Sequence, residues 1–139
     1  MPKQKWLLKT LLAILAVLAV ACSQSPQPEP AKNADGGYTD ITAEQLAEML
    51  KNKDFVLVNT HIPYDGDIPQ TDLSIPFDEI ADHLDELPGK DAKIVLYCRS
   101  GNMSTTAAET LVASGYTNVY EVDGGMHAWE AAGYELIRE

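Results

Sequence analysis

Cys98 sits where a nucleophile would be useful. It follows the short apolar run Ile94-Val95-Leu96-Tyr97 and opens the stretch Cys98-Arg99-Ser100-Gly101-Asn102-Met103-Ser104. That stretch leads into Ala107, Ala108, Leu111 and Val112 at helical spacing. A loop between a strand and a helix start aims free backbone N–H groups, and the positive end of the helix dipole, at whatever it encloses. Gly101 permits the curvature that turns several amides inward, and Arg99 adds a fixed positive charge. Such a field favours a thiolate and any anion bound beside it, which makes Cys98 the candidate nucleophile. Arg99, Ser100, Gly101, Asn102, Met103 and Ser104 are the candidate substrate-binding residues, with the backbone N–H groups of the two serines expected to matter more than their hydroxyls. The competing assignments are an inert buried thiol for Cys98, a surface pair with an acid for Arg99, and turn or cap duty for Ser100 and Ser104.

His61 is the auxiliary candidate. It lies just past the apolar run Phe55–Val58, where it could approach Cys98 as a base or a cation. The competing assignment is a solvated or structurally hydrogen-bonded histidine. His83 falls in a stretch of surface character and His127 beside Gly124-Gly125. Three histidines far apart and one cysteine in the folded part do not make a metal centre, and no cofactor is called for. Trp129, Tyr116 and Tyr120 read as packing.

The elements that must hold these residues are legible in outline. Thr42-Ala43-Glu44-Gln45 is a capping box, with Ile41 and Leu46 as a hydrophobic staple, and predicts a helix from about Ala43 to Lys51. Phe55–Val58 and Ile94–Tyr97 are apolar without alternation, as in strands of a parallel sheet covered on both faces. Asp78 is placed to cap a helix carrying Ile80, Leu84 and Leu87, stopped by Pro88-Gly89. After the Cys98 loop come a helix ended by Gly115, a strand over Asn118–Val122 and a short helix over Met126–Ala132. Strands alternating with helices at these intervals predict an open α/β layer fold with mostly parallel strands. Ligand sites of such folds lie beyond the carboxyl ends of the strands, which is where Cys98 falls.

The chain has 139 residues, 45% hydrophobic and 22% charged, enough for one core rather than several. Its formal net charge is −11, and Lys3, Lys5 and Lys9 all precede the first acid, so the body of the chain is more acidic still. Phosphate backbones and anionic lipid heads would repel it, which argues against nucleic-acid binding and electrostatic docking to a bilayer. The three lysines form a basic start, Leu11–Ala21 is unbroken apolar sequence, and the small residues Ala19 and Ala21 precede Cys22. That is secretory signal-peptide anatomy, too short for a spanning helix. A cysteine directly after Ala19-Val20-Ala21 resembles the lipobox of bacterial lipoproteins, which implies lipidation of Cys22 as the mature N-terminus. The expected organisation is a lipoprotein signal over residues 1–22, a tether rich in proline and glycine over 23–37, and a folded domain over 38–139. It implies a protein of the cell envelope, outside the cytoplasm and held to a bacterial membrane by lipid. With only Cys98 in the folded part, no disulfide framework is possible.

Three stretches together, Cys98 to Ser104, Gly115-Tyr116-Thr117-Asn118-Val119 and Gly124-Gly125-Met126-His127-Ala128-Trp129, resemble the rhodanese-like family. Its active loop often reads Cys-Arg-Ser-Gly-x-Arg-Ser, and the resemblance runs from about Tyr38 to Ile137. It implies a five-stranded parallel sheet with helices on both faces. It also implies a cysteine that takes a sulfane sulfur from a thiosulfate-, persulfide- or polysulfide-type donor and passes it to a thiol acceptor, small molecule or protein. Three positions depart from the family pattern. Asn59-Thr60-His61 stands where Asp-x-Arg is usual, Gly66-Asp67-Ile68-Pro69 where Gly-His-Ile-Pro is usual, and Met103 replaces the loop's second arginine. Met103 takes a charge from the pocket mouth that would meet the sulfonate end of thiosulfate. The first departure could be a matched change in a supporting network. The alternative function is a binding or sensing module that uses the same cradle without catalysis. Phosphoryl transfer is disfavoured, since the arginine that the related phosphatase and arsenate reductase loops carry six positions after the cysteine is here Ser104.

Overall fold

A computed structural model describes residues 29–32 and 37–138. The signal and lipidation readings, Cys22 included, lie outside the described residues. The elements in chain order are β1 (Ala31–Lys32), β2 (Thr39–Ile41), α1 (Ala43–Leu50), β3 (Val56–Asn59), β4 (Leu73–Ser74), a short 3-10 helix (Ile80–His83), β5 (Ile94–Tyr97), α2 (Asn102–Ala113), β6 (Val119–Val122) and α3 (Gly125–Ala131).

The sheet order is β1-β2-β6-β5-β3-β4. Five strands are parallel, as expected, and β1 adds an antiparallel edge by pairing Ala31 with Asp40 and Lys32 with Thr39. The stretch expected to be a tether therefore contains one paired segment. The short strands β2 and β4 carry no apolar run of their own and were not legible from periodicity. From β3 the chain steps outward to β4, and from β5 it steps the other way to β6. The direction of winding thus reverses between β3 and β5, and the crevice beyond their carboxyl ends is the place where such folds bind ligands.

Successive residues of the central strands feed opposite faces, as the pleat requires. Val58, Ile94 and Leu96 join Ala107, Ala108 and Leu111 of α2 on one face. Leu57, Val95 and Tyr97 join Leu46 and Leu50 of α1 and Met126 and Trp129 of α3 on the other. Each fully buried aliphatic side chain contributes about 1.5–3 kcal/mol. The capping box forms as read: Gln45 N–H donates to Thr42 Oγ1 at 3.2 Å and Thr42 N–H to Gln45 Oε1 at 2.8 Å.

The helix expected behind Asp78 is not formed. Only Ile80–His83 is helical, in 3-10 geometry, and no side-chain cap serves it. Ile80 and Leu87 are still buried, so the apolar spacing was sound. Asp78, Asp82 and Glu86 stand four residues apart and would repel one another along an α-helix, and aspartate is itself a poor helix former. The remaining elements agree with expectation to within a residue or two, Val56–Asn59 being displaced by one from the predicted strand.

Candidate active site

Cys98 is the first residue after β5 and is 1% exposed. The loop behind it curls back on the sulfur. Gly101 N–H donates to Cys98 Sγ at 3.0 Å, and Ser104 Oγ lies 3.3 Å from the same atom. Gly101 holds φ +105° just before α2, a conformation that a side chain would strain. The first backbone bond of α2 runs from Thr105 N–H to Gly101 O. The N–H groups of Asn102, Met103 and Ser104 precede it and have no acceptor within the helix.

The loop is gripped from behind by the Gly124-Gly125 turn. Met126 N–H donates to Cys98 O at 2.9 Å and His127 N–H to Arg99 O at 3.0 Å. These bonds turn the two carbonyls toward α3, away from the sulfur. Gly125 is indispensable to this approach, because a Cβ there would stand 2.2 Å from Cys98 O.

The candidate residues divide once they are placed. Gly101 and Ser104 are buried and touch the sulfur, whereas Arg99, Ser100 and Asn102 are exposed and Met103 is half-buried on the first turn of α2. Ser104 corrects the expectation that its hydroxyl would matter less than its N–H, since the hydroxyl itself reaches Sγ. Arg99 Nη1 stands 3.8 Å from Asp65 Oδ2, both side chains about half exposed. His61 is buried on the β3 side of the crevice, and burial first, then the Arg99 cation, hold it below the ordinary histidine range. Asp65 acts against this shift and His127 with it. These effects together disfavour the cation considered above. Its Nδ1 is the one buried side-chain polar atom among the described residues that lacks a hydrogen-bond partner. No three His, Cys, Asp or Glu side chains among the described residues are grouped to hold a metal ion.

The structure also brings together residues that the sequence kept apart. Asn59 Nδ2 donates to Gly66 O at 3.0 Å and to Asp67 Oδ1 at 2.9 Å, and Asn59 Oδ1 accepts from His61 N–H at 3.0 Å. Tyr97 Oη donates to Asp67 Oδ1 at 3.1 Å and accepts from Ile68 N–H at 3.1 Å. Two of the departures from the family pattern, Asn59 and Asp67, are therefore hydrogen-bonded to one another.

Glu121 was missed altogether. It lies on β6, 2% exposed, with Oε1 2.5 Å from Ser104 Oγ. Burial, reinforced by Asp40 and Asp123 and opposed by Ser104, pushes its carboxyl up to about 7. The signal was an acid inside Val119-Tyr120-Glu121-Val122, a strand otherwise apolar and central enough to be covered on both faces.

Known proteins agree with this geometry. The sequence profile of the Rhodanese-like domain matches residues 42–132. A sulfurtransferase of Allochromatium vinosum is 34% identical over 102 residues, 70% of this chain and 94% of its own length. The thiosulfate sulfurtransferase GlpE of Pseudomonas syringae pv. syringae is 35% identical over 94 residues, 66% of this chain and 87% of that protein. Among solved structures, a rhodanese-related protein from Thermoplasma volcanium superposes with a TM-score of 0.62 at 29% identity, covering 72% of this chain and 98% of that one.

Proposed function

The chain belongs to the rhodanese-like domain family and is a sulfurtransferase of it, and on that premise we propose that Cys98 carries the transferred sulfur as a persulfide. The observation that carries this reading is the buried Cys98 Sγ held by Gly101 N–H at 3.0 Å inside the loop that leads into α2. The thiolate attacks the outer sulfur of a persulfide-, polysulfide- or thiosulfate-type donor. An S–S bond forms on Cys98 as the donor's S–S bond breaks, and the donor leaves as a thiolate or sulfite with the electron pair. The persulfide's terminal charge falls toward the open N–H groups of the first turn of α2, which favour an anion there. A thiolate acceptor then attacks the outer sulfur and returns Cys98 as thiolate. His61 and the Arg99–Asp65 pair border the crevice through which donor and acceptor enter.

Mass spectrometry of the intact protein after exposure to thiosulfate, polysulfide and an organic persulfide tests the reading. A gain of one sulfur atom on Cys98, removed by a thiol acceptor and absent in Cys98→Ala, is expected. No gain with any donor would leave the binding-module alternative standing.

The location we propose is the cell envelope outside the cytoplasm, held to a bacterial membrane by lipid on Cys22. Its support is the order of basic, apolar and small residues ahead of that cysteine. Cys22→Ala in a bacterial host should abolish labelling by a fatty-acid probe and leave the leader uncleaved, and persistent labelling would refute the assignment.

A further inference from the structure

The Ser104 hydroxyl stands among three atoms that want its one hydrogen: Glu121 Oε1 at 2.5 Å, Gly101 O at 3.1 Å and Cys98 Sγ at 3.3 Å. A hydroxyl donates once and accepts twice. When Glu121 is ionised it takes that hydrogen, and Ser104 then meets the sulfur only if the sulfur stays a thiol and donates to Ser104 Oγ, Gly101 N–H being its remaining donor. When Glu121 is protonated, its own O–H donates to Ser104 Oγ and frees the hydroxyl hydrogen for a sulfur anion. The direction of the whole chain is thus set by where one proton resides.

We propose that Glu121 is a positioning residue for the sulfur of Cys98: through the Ser104 hydroxyl it takes up the proton that the thiol gives up, and once neutral it turns that hydroxyl toward the sulfur anion. In this step the S–H bond of Cys98 breaks and its proton joins Ser104 Oγ, while the Ser104 hydroxyl proton passes to Glu121 Oε1. No electrons are transferred and nothing enters from solvent. The proposal rests on the reading of Cys98 as the sulfur carrier, and it gives that carrier an internal base.

Burial and the charged surroundings of Glu121 favour a retained proton, and the Ser104 hydroxyl opposes it. From β2 and the residue before it come Asp40 and Tyr38, the latter hydrogen-bonded to Thr105 and also acted on by Glu109 of α2. Asp123 follows at the end of its own strand, α2 contributes the Ser104 hydroxyl, and β5 leads into Cys98. Glu121 takes part in no ion pair among the described residues, and Arg99 is drawn to Asp65 at the surface. On the proposed arrangement a second anion, reached through the Ser104 hydroxyl, adds to the cost of ionising Glu121.

The test is the rate of Cys98 alkylation by iodoacetamide against pH on the full-length chain, read on the Cys98 peptide by mass spectrometry so that Cys22 does not interfere. The expected profile has two steps for the native chain, because the pair loses two protons in succession. It has one step for Glu121→Gln, falling between them, since the amide mimics the neutral acid but holds no proton to lose. Superimposable single steps would overturn the proposal. A second measurement needs no variant: alkylating Cys98 removes the anion, and the infrared carbonyl band of a buried protonated carboxyl should shrink. An unchanged band would also overturn it. Alkylation requires no sulfur donor, so these results are separable from sulfur loading, which, run in parallel, reports on the transferase reading alone.

Discussion

Two buried polar clusters flank the carboxyl end of β5, and they are built to opposite specifications. On the α1 and α3 side, the Asn59–Asp67 pair has a definite allotment of hydrogens: the amide donates to Gly66 O and Asp67 Oδ1, Asn59 Oδ1 accepts from His61 N–H, and Asp67 Oδ1 also accepts from Tyr97, whose own oxygen takes Ile68 N–H and faces Thr71 Oγ1 at 2.7 Å. On the α2 side, Ser104 has one hydrogen for the three acceptors around it. A cluster whose protons are settled fixes geometry, because breaking any bond leaves a buried group unsatisfied. One whose proton is contested has two arrangements, and that is the property a reacting sulfur can use. Tyr97 and Cys98 are consecutive, so one strand end is anchored on one face and left switchable on the other.

The largest effect should come from disturbing what both clusters depend on, the seating of the Cys98 carbonyl against α3. Gly125→Ala places a methyl 2.2 Å from Cys98 O, and relief requires the loop to move. A loss of about 3 kcal/mol or more in denaturant unfolding is expected, together with loss of sulfur loading. Near-native stability with loading intact would mean that the turn yields without carrying the loop along.

The settled cluster should behave as structure. Asn59→Asp removes the donor to Gly66 O and sets two carboxylates face to face, at a cost of about 2–3 kcal/mol. Asn59→Asp combined with Asp67→His restores acceptor and donor with reversed polarity and should recover at least about half of it, as chemical denaturation would show. Failure of the double variant to recover would mean that the two departures are independent. The two-step alkylation profile should survive in the double variant, since its groups face away from Ser104.

The contested cluster should instead show itself in pH dependence. Glu121 is raised from 4.5 to about 7, so the folded chain holds a proton there that the unfolded chain has released. Stability from this group is fully present below about pH 4.5 and lost as pH rises through about 7, amounting to roughly 3 kcal/mol at most. Glu121→Gln escapes that loss. Its stability relative to the native chain should therefore climb between about pH 4.5 and 7.5 and level off above. Thermal melts across that range check the sign, and a flat difference would mean that Glu121 is ionised throughout.

The sequence and the structure part company along the same division. The nucleophile, its loop, the capped first helix and the central strands were legible because each is local: a cap four residues long, an apolar run, a cysteine between strand and helix. The parallel sheet followed from their alternation. What was not legible depends on contacts between distant positions. Asn59 and Asp67 looked like two separate losses until Asn59 Nδ2 was seen 2.9 Å from Asp67 Oδ1. Glu121 drew no reading, because periodicity does not say which helix covers a strand residue. The helix expected behind Asp78 failed for a different reason, since apolar spacing registers burial and is blind to three like charges stacked on one face.

Met103 offers the smallest effect and the cleanest reading. It is half-buried on the first turn of α2 and belongs to neither core cluster. An arginine there should be tolerated, with stability changed by no more than about 0.5 kcal/mol. It would restore the cation that the family pattern places beside the loop, at the end of a helix whose N-terminal amides already favour anions. A charge-assisted contact to the sulfonate of thiosulfate is worth about 1.5–3 kcal/mol, or about tenfold or more in affinity. A persulfide donor without that group gains less. Met103→Arg should therefore lower the KM for thiosulfate by about tenfold while changing the KM for an organic persulfide far less, and the native chain should load from the persulfide more readily than from thiosulfate. Steady-state kinetics with both donors, beside a thermal melt of the variant, decide the matter. Efficient loading of the native chain from thiosulfate would show that the exposed Arg99 and the loop amides bind the sulfonate without a second cation, and would place donor selection away from Met103.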